Sequence, residues 1–399
     1  MSEEIISRAK KLVESIASSR LFDEIYVYPD HESIVSTALL IRILSLADKE
    51  IGLIDQESFS EPSDRTLVIG FPRPKKSLRG FFLAREKTFY YREDKALAIP
   101  FESSLPKIIY DASTDVYEFH REFKEFILAT YIHKLSPSEM MHRVSDEDLS
   151  KNINILGQET SKMIYGLKIM SFFDEAYIED NLYYSIDPFV PGFTGDRNSV
   201  RNLLSNLGLG RGREYLQKLA DAINSYVKSS VVSLGNKPYN DQSSSFIDLY
   251  EIIRALDIFI NRDPVATTLY IASGVSGISY LAYLFRERLD TLINQLNKIV
   301  REKSFEIISH KINNTRLSEI RLDSISCERD ILYETYVVLK DLDLIRDPAV
   351  LRCGDRYYYP LSKKTIFTLE AAPMIRGMFI VVDSLKALSE LDKYVETRD

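Results

Sequence analysis

The feature that most constrains this chain is a short apolar run that leads directly into the start of a helix. Residues 25–28 have the length and composition of a buried strand, and Pro29 and Asp30 end it. Residues 33–46 then repeat apolar side chains at helical spacing. In an open parallel sheet, the loop between a strand and its helix faces the ligand crevice. The segment therefore predicts an α/β fold with a candidate site at Asp30.

Other apolar segments extend this pattern along the chain. We predict further strands at 51–54, 66–71, 88–91, 96–99 and 107–110. These intervals predict an α/β fold with a mostly parallel sheet flanked by helices. From about residue 116 the pattern becomes helical, with predicted helices at 117–134 and 146–170, until a Pro- and Gly-rich break at 187–195.

Three domains follow from these patterns. Residues 1–186 are predicted to form the α/β domain, 187–300 a helical connector, and 301–399 a small C-terminal α+β domain. In the last of these, a helix at 328–344 precedes a hairpin centred on Gly354-Asp355. A helix followed by a hairpin is compatible with a winged-helix unit, although many small α+β domains share this order.

The charge balance limits how the chain could bind nucleic acid. Its 399 residues include 51 Lys and Arg against 59 Asp and Glu, for a net charge of −8. Any contact with phosphates must therefore come from a local basic patch. The stretch 65–95 is such a patch, and it is either a solvated surface or a contact region for a strand or partner. Its basic residues are Arg65, Arg73, Lys75, Lys76, Arg79, Arg85, Lys87, Arg92 and Lys95.

The sequence also indicates where the protein is located and whether it crosses a membrane. The N-terminal segment is charged and has no apolar signal core, and Cys327 and Cys353 have no metal-ligand spacing and suit a reducing interior. Residues 265–285 carry no charge, but they include several Ser, Thr and Gly residues. We interpret that segment as a buried helix, broken near its glycines, and not as a membrane span. We expect a cytoplasmic protein.

The segment around Asp30 resembles the first motif of the RecJ/DHH phosphoesterase superfamily. In that motif a strand ends in His-x-Asp-x-Asp-Gly, and x-x-Ser and an apolar helix follow. Tyr28 stands where the His belongs, while Asp30 matches the first Asp. Glu32 and Ser33 replace the second Asp and the Gly, and Ser36 matches the Ser. The spacing of the motif is kept, but its ligands are degraded.

The resemblance implies further metal ligands that this chain lacks. Family members hold paired manganese ions with this motif, an Asp after a second strand, an Asp-His-His triplet and one further Asp. Two hard cations need several carboxylates and imidazoles around them. Here the predicted second strand and the residues that end it, 67–72, contain no carboxylate, and the sequence has no Asp-His-His triplet. At the triplet's place, Arg92 would put a cation beside any metal.

A branch of the superfamily keeps the fold and loses the ligands, and the stretch 187–209 resembles a connector of archaeal RecJ-like proteins. That branch includes the subunit that joins MCM and GINS in the replicative helicase. The resemblance therefore implies a non-catalytic helicase subunit without cofactors, with GINS, MCM and single-stranded DNA as candidate partners. One alternative is a divergent manganese-dependent phosphoesterase whose ligands are Asp30, His31 and Glu32 with Asp111 or Asp115. Another is a free-standing single-strand DNA binder.

Each candidate residue also has a purely structural interpretation. Asp30 and Glu32, remnants of the metal site with His31, are typical helix-capping residues. His120, His133, His142 and His310 have no ligand spacing and are expected at the surface or satisfied within helices. The candidate nucleic-acid or partner contacts could equally be exposed loop or helix-turn residues. They are Arg73, Lys75, Lys76, Arg79, Arg92, Arg197, Arg201, Arg211 and Arg213.

Overall fold

The structure is a computed structural model that describes most of the chain. The described residues are 22–46, 50–72, 80–84, 88–91, 95–98, 104–115, 117–157, 160–171, 177–208, 210, 212–227, 231–240, 243–312, 315–322, 325–346, 348–361 and 366–396, with positions 7, 10, 11, 13 and 14. The helix expected at 2–19 lies largely outside them.

The α-helices of the described part are numbered in chain order. They are α1 His31–Leu46, α2 Leu105–Ser113, α3 Arg121–Leu135, α4 Asp146–Asn152, α5 Ile178–Tyr184, α6 Arg197–Leu207, α7 Arg213–Val227, α8 Leu249–Arg262, α9 Pro264–Ala272, α10 Val275–Glu302, α11 Arg329–Asp341 and α12 Leu385–Ser389. Short 3₁₀ helices lie at Met141–Arg143, Leu369–Met374 and Leu391–Tyr394.

The strands are numbered in the same way. They are β1 Glu24–Val27, β2 Gly52–Leu53, β3 Thr66–Ile69, β4 Phe81–Ala84, β5 Thr88–Tyr91, β6 Lys95–Ala98, β7 Lys162–Leu167, β8 Leu234–Tyr239, β9 Glu306–Ile312, β10 Thr315–Arg321, β11 Ala349–Cys353, β12 Arg356–Pro360, β13 Ile366–Phe367, β14 Phe379–Val382 and β15 Val395–Glu396.

The chain divides into two compact units, of which the first comprises residues 1–123, 259–278 and 356–399. Its main sheet has the strand order β2-β1-β3-β4-β5-β6. Pairing is parallel from β2 through β4, and β5 and β6 are added antiparallel. The predicted α/β fold is confirmed, with parallel pairing in the part of the sheet that carries the candidate site.

Helix α1 is the central helix of this unit. It contacts β1, α2 and α9, so it is buried around most of its circumference. Its buried residues include the polar Ser33, Ser36 and Thr37 beside Ile34 and Leu39. The hydroxyls of Ser36 and Thr37 donate to helix carbonyls four residues earlier, which satisfies them inside the core. The start of α1 is thereby fixed against the sheet.

Two sequence-based elements are wrong. The predicted strand at 107–110 lies within α2, which begins with the Ser104 cap and Pro106. The predicted helix at 146–170 ends at Asn152, and β7 follows and pairs antiparallel with β8. A short apolar run fits a helix or a strand equally well, and the partner segment decides between them.

The uncharged segment at 265–285 forms two helices. Helix α9 ends near Ser273, and Gly274, with φ of +75°, separates it from α10. A left-handed residue at this position is what glycine adopts at low cost. The predicted break is confirmed. Within the part of the chain that the structure describes, no helix is both long and apolar enough to cross a bilayer.

The second unit comprises residues 124–258 and 279–355. In it, β10 pairs antiparallel with β9 and parallel with β11. One apolar core of this unit is formed by residues of β7, α5, α6 and α7 and of the loops beside them. Its members are Leu167, Ile169, Leu182, Val190, Phe193, Val200, Leu219, Ala220, Ile223, Val231 and Val232. Helices were expected within the connector at 198–207 and 214–227, and α6 and α7 confirm them.

The predicted turn at Gly354-Asp355 is also present, since β11 ends just before it and β12 begins just after it. Gly354 has a φ of +60°, as such a turn requires. The domain boundaries at 186 and 300, and the winged-helix interpretation, stay predictions.

The two cysteines form a disulfide that the sequence analysis did not predict. Cys327, just before α11, is bonded to Cys353 at the end of β11, with their Cα atoms 5.7 Å apart. No spacing rule indicates this pair, because 26 residues separate them and only the fold brings them together. The bond ties the start of α11 to the end of β11.

Reduction of this disulfide should destabilise the second unit. A cross-link that closes a loop of 26 residues is worth about 3.5 kcal/mol of unfolding free energy in the chain-entropy model. Urea unfolding with and without dithiothreitol measures the loss. The Cys327→Ser/Cys353→Ser variant should match the reduced protein and be insensitive to reductant. Equal stability of oxidised and reduced wild-type protein would contradict the assignment.

Candidate functional site

The candidate site lies at the carboxyl edge of β1 and β3. These parallel strands are in register with Val27 beside Ile69, and the Tyr28 N–H donates to the Ile69 carbonyl at 2.8 Å. The residues that follow the two strands, Tyr28 to Asp30 and Gly70 to Phe71, therefore lie side by side. This is the edge at which open α/β sheets bind their ligands.

Asp30 acts here as a helix cap. Its Oδ1 accepts a hydrogen bond from the Ser33 N–H at 2.7 Å, and its carbonyl accepts from the Ile34 N–H at 3.0 Å. A capping carboxylate satisfies a backbone donor at the positive end of the helix. Asp30 is the oxygen ligand that matches the family motif without substitution, and here it accepts a hydrogen bond from the first turn of α1.

Aromatic side chains occupy the same edge. Tyr28 is buried, and its ring meets the Phe71 ring edge-on with centroids 4.9 Å apart. Tyr26 stacks between Phe59 and Phe71, and burial raises its pKa well above the ordinary value. The position where the family motif has its metal-binding His therefore contributes a ring to an apolar cluster. Such a cluster offers a hard cation phenol hydroxyls in place of the carboxylates that it prefers.

Gly70 removes the space for a carboxylate after β3. Its φ is +84°, and a Cβ placed there would lie 1.9 Å from Ser33 Oγ and 3.0 Å from Tyr28 Cβ. Any side chain at this position would therefore collide with the first turn of α1. Ser33, which replaces the motif's glycine, packs directly against the residue that follows the second strand.

The other proposed ligands are dispersed. His31 is buried at the start of α1, Asp111 is paired with Lys107 at 2.5 Å, and Asp115 with Lys10. Among the described residues, no group of three or more His, Cys, Asp or Glu side chains could hold a metal ion. The residues at this edge do not fit the paired manganese ions that the family resemblance implies.

The predicted contact residues fall into two groups. Arg73, Lys75, Lys76, Arg79, Arg92 and Arg211 lie outside the described residues. Arg197 and Arg201 pair with Asp180 and Glu179 at 2.6 and 2.8 Å, so carboxylates already engage both guanidinium groups. Arg213 stacks over the Tyr165 ring at 4.6 Å. Their proposed role in binding stays a prediction.

Sequence reasoning missed a buried charge network in the second unit. Arg254 of α8 has no exposed surface and pairs with Asp257 at 2.5 Å and Glu334 at 3.3 Å. Its guanidinium also donates to the Glu139 carbonyl at 2.5 Å. The sequence does contain one sign of this network. Polar residues recur every three or four positions from the residue before α8 along its buried face. They are Asp248, Glu251, Arg254, Asp257 and Asn261.

His142 links this network to two further carboxylates. Its Nδ1 lies 2.7 Å from Asp187 Oδ1, and its Nε2 lies 3.4 Å from Asp341 Oδ2. Burial alone would lower the pKa of His142, but hydrogen bonds to Asp187 and Asp341 outweigh it and raise that pKa. Asp187 also accepts from the Met141 N–H at 2.7 Å. His142 is thus a buried histidine held between two carboxylates in a short 3₁₀ helix, and it does not lie at the surface.

Two buried carboxyls of the network favour the protonated form. Burial, partly offset by Arg286, raises the pKa of Glu251 to about 7. Burial also raises the pKa of Glu334, although Arg254 opposes the shift. A group whose pKa is higher in the folded state stabilises the fold at low pH and loses that contribution as pH rises. Glu251, Glu334 and His142 all change in this direction.

Replacing Gly70 should destabilise the first unit. Gly70→Ala should lower the free energy of unfolding by about 2 to 4 kcal/mol, because the methyl group collides with Ser33 and the left-handed backbone disfavours alanine. Gly354→Ala is the control: its φ is +60° and its Cβ would meet nothing within 4 Å, so the cost is about 1 kcal/mol. If both variants lost the same unfolding free energy in denaturant, the close packing at Gly70 would be refuted.

The second unit should lose stability at alkaline pH. Between about pH 6 and about pH 9 the free energy of unfolding should fall by about 2 kcal/mol or more, since Glu251 and Glu334 ionise while His142 loses its proton. Urea unfolding across that range measures the slope. Glu251→Gln should flatten it, whereas exposed Glu147→Gln should not. An unchanged slope in Glu251→Gln would contradict the assignment.

Comparisons with known proteins found similarity to solved structures alone. No family model and no curated protein matches the chain. The crystal structure of CDC45 from Entamoeba histolytica is similar, with a TM-score of 0.49 and 8% identity over 93% of this chain and 89% of that one. RecJ from Thermus thermophilus in complex with Mn²⁺ gives 0.42 and 10% over 98% of this chain, which spans 54% of that RecJ chain. The solved structures similar to this chain thus include CDC45 and RecJ.

Proposed function

We propose that this chain is a non-catalytic subunit of an archaeal replicative helicase complex. In this proposal it binds GINS, stabilises MCM at the fork and contacts single-stranded DNA locally. The observation that carries the proposal is the filled carboxyl edge of β1 and β3, where the motif keeps its spacing but holds aromatic rings and a cap. A retained scaffold with a degraded site supports a binding role.

The rival proposal, a divergent manganese-dependent phosphoesterase, meets a geometric difficulty. It needs Asp30, His31 and Glu32 to converge with Asp111 or Asp115 on a metal ion. Asp30 caps α1, and the partners of Asp111 and Asp115 are lysines. Metal binding by these carboxylates would compete with the Asp30 cap and with the lysines that hold Asp111 and Asp115.

Charge also supports a protein partner. A net charge of −8 repels nucleic acid over most of the surface, so DNA contact must be confined to local cationic groups. The candidate groups are those of the 65–95 stretch and the arginines around α6 and α7. A subunit whose main task is to join proteins needs no extended basic groove.

The proposal predicts a stable complex with purified archaeal GINS. Size-exclusion chromatography of the full chain with GINS at moderate salt should give one co-eluting peak, and adding MCM should shift that peak further. The same chain with manganese and labelled single-stranded DNA should show no exonuclease turnover. Asp30→Ala, with exposed Glu147→Ala as the control, serves the nuclease assay.

Two outcomes would overturn the proposal. One is separate elution of the chain and GINS at every salt concentration. The other is nuclease turnover that persists in Glu147→Ala and vanishes in Asp30→Ala, because activity would then depend on the carboxylate that the structure assigns to capping.

A further inference from the structure

The disulfide of the second unit joins two cysteines that differ in their access to solvent. Cys327 lies in the irregular segment between β10 and α11 and is exposed, whereas Cys353 ends β11 and is only 4% exposed. A thiolate opens a disulfide by attacking one of its two sulfurs directly, so it acts at the sulfur that it reaches. The difference in exposure therefore makes Cys327 the point of attack.

The sheet holds Cys353 in place whether or not the bond is closed. Strand β11 runs parallel to β10, and the Leu322 N–H donates to the Arg352 carbonyl at 3.0 Å. The residues of β11 that precede Arg352 are buried. A thiol released at Cys353 therefore stays inside the protein, at a backbone position whose Cα lies 5.7 Å from that of Cys327. It is placed to form the bond again.

The segment that carries Cys327 is held by polar contacts at the surface. Ser326 Oγ donates to Glu328 Oε1 at 2.8 Å, and Glu328 Oε2 accepts from Arg288 Nη2 at 2.6 Å. The Glu328 side chain is 48% exposed, which shows that the surface is open on this side of Cys327. Because Arg288 offsets the charge of Glu328, an anionic thiolate is not repelled by an unpaired carboxylate here.

Opening the bond would release the start of a helix that carries two members of the buried charge network. The loop between Cys327 and Cys353 contains all of α11. On this helix, Glu334 lies 3.3 Å from Arg254, and Asp341 lies 3.4 Å from His142. The disulfide thus tethers, at its first turn, the helix from which these carboxylates project.

We propose that the Cys327–Cys353 bond is a redox-responsive link, with Cys327 as the site of thiol modification and Cys353 as the resolving thiol. The thiolate of a low-molecular-weight thiol attacks Cys327 Sγ and forms a mixed disulfide with it. The Cys327–Cys353 bond breaks, and Cys353 leaves as a thiolate that takes a proton from water.

Two reactions of the mixed disulfide complete the exchange. A second small thiolate attacks the sulfur of the bound small thiol, which leaves the Cys327 thiolate and the disulfide of the small thiol. Alternatively, the Cys353 thiolate attacks Cys327 Sγ, which closes the link again and releases the small thiol. Both steps are ordinary thiol–disulfide exchange, and the small thiol is the reductant.

A matched pair of variants tests the assignment. Cys353→Ser and Cys327→Ser both lack the bond, so a loss of stability common to them cannot explain a difference between them. With oxidised glutathione as the probe, Cys327 in the first variant should be modified at least about ten times faster than Cys353 in the second, because only Cys327 is exposed. Intact-protein mass spectrometry measures both rates. In unfolding concentrations of urea the two rates should become similar.

The wild-type protein provides the second measurement. After brief exposure to reduced glutathione and acid quenching, peptide mapping should place the bound glutathione on Cys327. Full reduction should also speed amide hydrogen exchange in residues 329–334 of α11 at least about fivefold, because their tether is lost. Equal rates for the two folded variants, or glutathione mainly on Cys353, would overturn the assigned roles. Unchanged exchange in α11 would overturn the link between redox state and this helix.

Discussion

The close approach of Gly70 to the first turn of α1 is the contact on which the candidate site depends. With no side chain at Gly70, Ser33 can lie against the end of β3 and Tyr28 can turn its ring into the core. The same contact leaves no room for the carboxylate that a paired-metal site needs there. The close packing at this edge and the lack of a carboxylate after β3 therefore have the same structural cause.

The second unit is organised by buried charge. Arg254 lies among Asp257, Glu334 and Asp187, and a buried cation with several carboxylates is costly to assemble unless hydrogen bonds satisfy each member. Here the network continues through His142 to Asp341, whose Oδ2 lies 3.4 Å from Nε2 of the histidine.

Elements of the fold were predictable where the residues that determine them are close together in the sequence. The strand–loop–helix segment at 25–46 was predictable, because strand length, the Asp30 cap and helical periodicity all act within a few residues. The structures of segments 107–110 and 162–167 were not predictable, because a short apolar run becomes a helix or a strand according to the segment that packs against it. The stripe of polar residues along α8 was visible in the sequence, but its spacing alone also fits an exposed face.

By itself, the sequence determined the α/β class, the break at Gly274 and the turn at Gly354, because residue identity and spacing encode these directly. Tertiary structure alone decided that Gly70 excludes a neighbouring ligand, that Cys327 meets Cys353 and that Arg254 is buried among carboxylates. Each of these needs groups distant in sequence to come within bonding distance, and only the packed chain fixes such distances.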